Sequence, residues 1–158
     1  MQTIELYTPH PKQLEIHESL DRDDIMYCIV PTGRQFGKST MGENQGVKWA
    51  LENSGWNIGW ISPTYKQCKK VFREIKNNLE SCPALSKSPN QSDLIFNFNT
   101  GSEIKFYSAE AYDSIRGESF DALILDEFRF FHPNAWEEAI KPTLTIVTGK
   151  HKLQQNKT

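Results

Sequence analysis

The stretch Thr32-Gly33-Arg34-Gln35-Phe36-Gly37-Lys38-Ser39-Thr40 constrains this chain more than any other. It follows the pattern G-x-x-x-x-G-K-[ST] from Thr32 to Ser39, with Thr32 where the first glycine is expected. Its flanks match the setting the pattern requires. Ile25-Met26-Tyr27-Cys28-Ile29-Val30 is an apolar run of strand length, and Thr40 to Glu52 is rich in helix formers. A strand, a glycine-bearing loop and a helix in that order predict an anion site. Gly33 and Gly37 can take backbone angles closed to residues with a Cβ. The loop N–H groups can then point into one concavity, and the helix beginning near Lys38 adds the positive end of its dipole. Lys38 is expected to reach the β and γ phosphates of a nucleotide, and the Ser39 hydroxyl to ligate Mg²⁺.

A second segment supplies the acids such a site needs. Phe120-Asp121-Ala122-Leu123-Ile124-Leu125-Asp126-Glu127 is a short apolar strand that ends in two carboxylates. A nearly all-apolar strand suits a parallel sheet buried on both faces, whose carboxyl edge is where ligands bind in open α/β sheets. Asp126 is expected to hold Mg²⁺. Glu127, free of the metal, can orient or deprotonate the water that attacks the γ phosphate. Alone, an Asp-Glu pair at a strand end is a common solvated feature. Paired with the phosphate loop, it reads as the second half of one site.

The 158 residues carry a net charge of −2, enough length for one domain with a core and no global bias toward nucleic acid. Cys28, Cys68 and Cys82 form no CxxC pair, which predicts reduced core or helix residues. No apolar stretch approaches the roughly 18 residues that cross a bilayer, and Met1 to Leu6 carries no basic region of a signal peptide.

Further elements follow from periodicity. Gln13 to Leu20 reads as a helix, Trp56 to Ser62 as a strand and Tyr65 to Leu79 as a helix with Cys68, Val71, Phe72, Ile75 and Leu79 facing the core. Lys66, Lys69, Lys70, Arg73 and Lys76 make the rest of that helix basic, as a solvated face or as a surface for a DNA backbone. Leu94 to Phe98 and Glu103 to Tyr107 alternate around Asn99-Thr100-Gly101, a hairpin signature. Pro133 to Ile140 reads as a short helix capped by Asn134. Strands alternating with helices predict an α/β fold with a mainly parallel sheet and an inserted hairpin.

With these residues in place, the chain resembles the N-terminal ATPase domain of the large terminase subunit, the DNA-packaging motor of tailed phages and herpesviruses. The residues that carry the resemblance are Tyr7, Pro11 and Gln13 before the loop, Arg34 within it, Ser62-Pro63-Thr64-Tyr65, Arg116-Gly117-Glu118 with Asp121, Leu125-Asp126-Glu127, and Trp136 with Ile140-Lys141-Pro142-Thr143-Leu144. The resemblance implies a P-loop NTPase fold of the additional-strand, catalytic-glutamate class, binding ATP and Mg²⁺. It implies nucleotide contacts from Gln13 and residues 32–40, metal contacts from Ser39 and Asp126, and catalytic roles for Glu127, Arg34 and Arg116. Arg34 would act on its own nucleotide and Arg116 on a neighbour's in a ring. It also implies double-stranded DNA, a portal protein and a small terminase subunit as partners, in the host cytoplasm. Residues 1–150 would form a partial ATPase domain without the family's coupling strand, residues 151–158 a polar tail, and the nuclease domain would be absent. Thr145-Ile146-Val147-Thr148 is β-prone and would be expected to substitute in part for that strand. A non-catalytic nucleotide-binding remnant and a helicase-like ATPase are the alternatives.

Overall fold

The computed structural model describes residues 6–144 apart from Asp23, Met26 and Ser81. The expectations for Thr145–Thr148 and for the tail lie outside the described residues.

Helices form where apolar periodicity coincides with a start signal. Helix α1 runs Pro11–Leu20, with proline in its first turn, and the His10 N–H at its start donates to Gln13 Oε1 at 3.0 Å. Helix α2 is Lys38–Glu52 and begins at Gly37 in the left-handed region. Strand β1 is Asn57–Ser62. Helix α3 is Tyr65–Leu79, opened by Thr64 and Gln67, whose side chains satisfy each other's backbone N–H groups. Strand β2, Ile95–Asn97, pairs antiparallel with β3, Glu103–Ser108, as the predicted hairpin. Strand β4 is Ala122–Leu125.

The sheet order is β2-β3-β1-β4, with β1 parallel to both β3 and β4. Side-chain alternation gives each face its own core. Ile58, Trp60, Ile104 and Phe106, with Ala122 and Ile124 of β4, point toward α2 and α3. Ile61, Tyr107, Leu123 and Leu125 point the other way, against Ile115, Phe131, Ala135 and Ile140. The five predicted core positions of α3 are all buried. Gly59 sits where a Cβ would lie 2.5 Å from Leu123 Cδ2 and 2.9 Å from Phe120 Cε1, so only glycine lets β1 and the end of β4 pack this closely.

Three expectations are corrected. The strand expected over Ile25–Val30 does not form at residues 27–30, which pair with no strand among the described residues, and Tyr27 and Ile29 are 64% and 87% exposed. A cavity of about 250 Å³, lined by Tyr27, Cys28, Trp56, Leu123, Leu125 and Trp136, separates this segment from β4. A strand is stable only as part of a hydrogen-bonded ladder, and across this cavity none forms. Cys28 is therefore exposed and not a core residue, while Cys68 is buried and Cys82 half-buried. The third correction is Asn134, whose side chain makes no capping bond; residues Ala135–Ile140 form a wide π-helical turn in place of an α-helix. His132 Nδ1 accepts from the Asn134 N–H at 3.2 Å, so a side chain two residues earlier supplies an acceptor at the start of this turn.

Candidate nucleotide site

The phosphate loop is shaped by two residues with positive φ, Gln35 at 66° and Gly37 at 78°. Glycine takes this region without strain, and a residue with a Cβ only where its surroundings hold it there. Gln13 supplies that hold from α1. Its Nε2 donates to the carbonyls of Phe36 and Gly37 at 3.1 and 3.3 Å, and a Cβ at Gly37 would lie 2.8 Å from that nitrogen. His10 adds to the clamp, with Nε2 3.3 Å from Phe36 O and its ring edge-on to Phe36. Gln13 is thus committed to the loop backbone, where the resemblance implied nucleotide contact.

The loop's donors stand ready for an anion. No hydrogen bond ties the backbone N–H groups of Gly33, Arg34, Gln35, Gly37 and Lys38 to another described residue. Lys38 Nζ donates to Thr32 O at 2.7 Å, so the ammonium lies folded over the loop. Among the described residues the buried Thr32 hydroxyl has no partner. Arg34 is exposed.

The two halves of the sequence motif meet. The Ser39 hydroxyl donates to Asp126 Oδ1 at 3.3 Å, joining the first turn of α2 to the end of β4. Asp126 N–H donates to Ile61 O at 2.9 Å, which continues the β1–β4 ladder one residue past the strand and fixes the carboxylate. Burial pushes the Asp126 carboxyl above its usual range, and the Ser39 hydrogen bond partly opposes the shift. The residues suit a hard divalent cation: a hydroxyl and a carboxylate, both oxygen donors, within reach of one another.

Glu127 follows with φ 51°, a left-handed conformation unusual for a residue with a long side chain. Its Oε2 lies 3.3 Å from Arg129 Nε, and the Arg129 guanidinium covers the Phe130 ring at 4.5 Å. Arg116 stands apart in its own cluster. It donates to Asp113 at 2.8 Å and Glu138 at 3.0 Å and lies over Tyr112, while Glu118 is 3.6 Å from Lys105.

Sequence reasoning missed three supports of this site. His17 is buried, its Nδ1 paired with Gln45 Oε1 and its Nε2 with the Tyr7 hydroxyl, so lead-in, α1 and α2 are tied together. His10 is the second. The third is Glu43, four residues after Ser39 and hence on the same face of α2. It is buried, and among the described residues its Oε1 has no partner. Burial first, then a hydrogen bond with Glu74, pushes the Glu43 carboxyl up to about 8; the Asp126 charge adds to the shift. Helical spacing from Ser39 was the signal that could have found it.

The sign of that shift fixes a pH dependence. An acid whose folded pKa is raised holds its proton in the native state after the unfolded chain has lost its own. Stability therefore falls as pH rises from about 4.5 to about 8 and levels off above. Glu43→Gln, which cannot ionise, is expected to melt above wild type at pH 8 and close to it at pH 5 in metal-free buffer. Identical melting of the two proteins at pH 8 would show that Glu43 carries no such shift.

Comparison with known proteins settles the lineage. The family of terminase large subunits, T4likevirus-type, N-terminal region, matches residues 29–152. The chain belongs to that family. Among curated terminase family members, the large terminase subunit of Thermus virus P23-45 is 30% identical over 162 aligned residues, and that of Thermus phage G20c is 29% identical. Each alignment covers 90% of this chain and 32% of the relative, so the chain spans about a third of their length. The large terminase ATPase domain of Thermus phage P74-26 superimposes with a TM-score of 0.69 at 29% identity, over 87% of this chain and 61% of that one. An arginine-to-alanine mutant of the same domain gives 0.70. The α/β fold expected from the sequence is thus that of a terminase ATPase domain. Among the described residues, no helix is long and apolar enough to cross a membrane.

Proposed function

We propose that this chain is the ATP-binding and hydrolysing part of a motor that drives double-stranded DNA into a viral capsid. The observation that carries the reading is the contact of Ser39 with Asp126 beside a loop whose Gly33, Arg34, Gln35, Gly37 and Lys38 N–H groups have no partner among the described residues and whose lysine donates to Thr32 O. Binding ATP would exchange the Lys38–Thr32 bond for bonds to the β and γ phosphates. Ser39 and Asp126 would hold Mg²⁺, which neutralises charge on the transferring phosphoryl group when bound. Glu127 would leave Arg129 and orient or deprotonate the attacking water. Double-stranded DNA, a portal protein, a small terminase subunit and a ring of like subunits, in the host cytoplasm, belong to the same proposal. Titration with ATP and Mg²⁺ tests it: saturable binding that depends on both supports the reading, and no binding at millimolar nucleotide ends it.

The unpaired segment 27–30 favours a second reading, a remnant that binds nucleotide without turning it over. Binding without phosphate release would select it.

Arg34 and Arg116 divide the arginine roles in the proposal. Arg34, exposed in the loop, acts on its own nucleotide. Arg116, half-exposed and held by Asp113 and Glu138, would exchange those partners for a neighbour's phosphate. An arginine given by a neighbour contributes about 10³–10⁵ in rate. Rings mixed from Arg116→Ala and Glu127→Gln subunits are therefore expected to recover turnover that neither variant has alone. No recovery in rings shown to be mixed would remove the trans role.

A further inference from the structure

Helix α3 carries Lys66, Lys69, Lys70, Arg73 and Lys76 against one acid, Glu74, in a chain whose net charge is −2. The side chains at 66, 69, 73 and 76 follow the i, i+3, i+7, i+10 progression and form one stripe about 15 Å long. The opposite face, with Cys68, Val71, Phe72, Ile75 and Leu79, is buried against the sheet, so the stripe is held outward by the core itself. Little on the protein answers its charge. Lys70 lies 3.9 Å from Glu74, and Lys69 covers the Tyr65 ring at 5.4 Å. Among the described residues, Lys66, Arg73 and Lys76 make no ion pair. Cations three and four apart on a helix repel one another, so the stripe works against the helix that bears it. The helix begins at Thr64, directly after β1, on the sheet edge that carries the candidate site.

We infer that the α3 stripe is the surface on which this domain contacts the phosphate backbone of duplex DNA. The inference rests on the packaging reading and adds to it the face that meets the cargo. Charge complementarity is the argument. A duplex presents a negative charge about every 1.7 Å along its axis, so a 15 Å row of cations faces several phosphates at once. Such contacts position a protein on DNA without reading its sequence, which suits a surface of lysines and one arginine.

The experiment is fluorescence anisotropy of a short labelled duplex of arbitrary sequence, titrated with the 158-residue chain from about 50 to 200 mM salt. Wild type is expected to bind weakly, with affinity falling steeply as salt rises. Each lost phosphate contact lowers the log–log slope by about 0.9, so K66A/K69A/R73A should lose roughly 2–3 from it, with at least tenfold weaker binding at low salt. Removing two charges off the stripe, K12A/K141A, should change both values little. A triple variant that binds like wild type, or an equal loss per charge in the off-stripe variant, overturns the inference. So does binding to polyglutamate without binding to the duplex, which would mark an acidic protein as the occupant. ATP binding is measured on the same variants. The triple should keep it, and a wild type that binds duplex but no ATP would sink the nucleotide reading while leaving the stripe standing.

Discussion

Lys38→Ala lowers ATP affinity by about two to four orders of magnitude, an effect read by titration with a fluorescent nucleotide. The size follows from the number of bonds lost. The ammonium would donate to oxygens of two phosphates, and a hydrogen bond to a charged group contributes about 1.5–3 kcal/mol. Two of them sum to about 3–6 kcal/mol, and each 1.4 kcal/mol is tenfold in affinity. The fold should survive, because Lys38 is half-buried and its side chain, among the described residues, bonds only to Thr32 O in the loop. Melting of the variant near wild type, combined with loss of binding, isolates the chemical effect. Equal affinity in the two proteins would mean that the loop holds no triphosphate.

Glu127→Gln separates binding from chemistry. The amide keeps the size and shape of the carboxylate and cannot accept a proton. Affinity for ATP with Mg²⁺ should stay within a few fold of wild type, while single-turnover hydrolysis falls by about 10²–10⁴, the usual contribution of a general base or water-orienting group. Asp126→Asn is the contrasting variant. It should raise the Mg²⁺ concentration needed for binding, because Asp126 and Ser39 are the oxygens that meet at 3.3 Å. Hydrolysis by Glu127→Gln at the wild-type rate would remove Glu127 from the reaction and leave Asp126 with its proposed metal role alone.

Most of the site was legible in the sequence because its parts are local. A glycine that must adopt φ 78°, a lysine and serine at the first turn of a helix and an acid at a strand end are each specified within a few residues. Helix α3 was legible from Tyr65 to Leu79 for the same reason, since one apolar stripe sets its length and orientation. What failed depends on partners far away in sequence. Ile25–Val30 is apolar and β-prone, but a strand exists only through its neighbours, and no run of side chains announces that the neighbour is out of reach. Gln13 is expected among the nucleotide contacts, yet its amide turns to the loop carbonyls, a choice fixed by the path of residues 36 and 37. Glu43 looked like an ordinary charged residue in a helix. Its burial and its interaction with Glu74 depend on how α2 packs in the fold and on α3 lying beside it.

The backbone at Glu127 carries a final consequence. A left-handed conformation costs a residue with a Cβ about 1–2 kcal/mol, and glycine escapes that cost. Selection for thermal robustness alone would drive position 127 toward glycine or asparagine. A glutamate there accepts that strain, as a residue with the proposed water-orienting role would be expected to do.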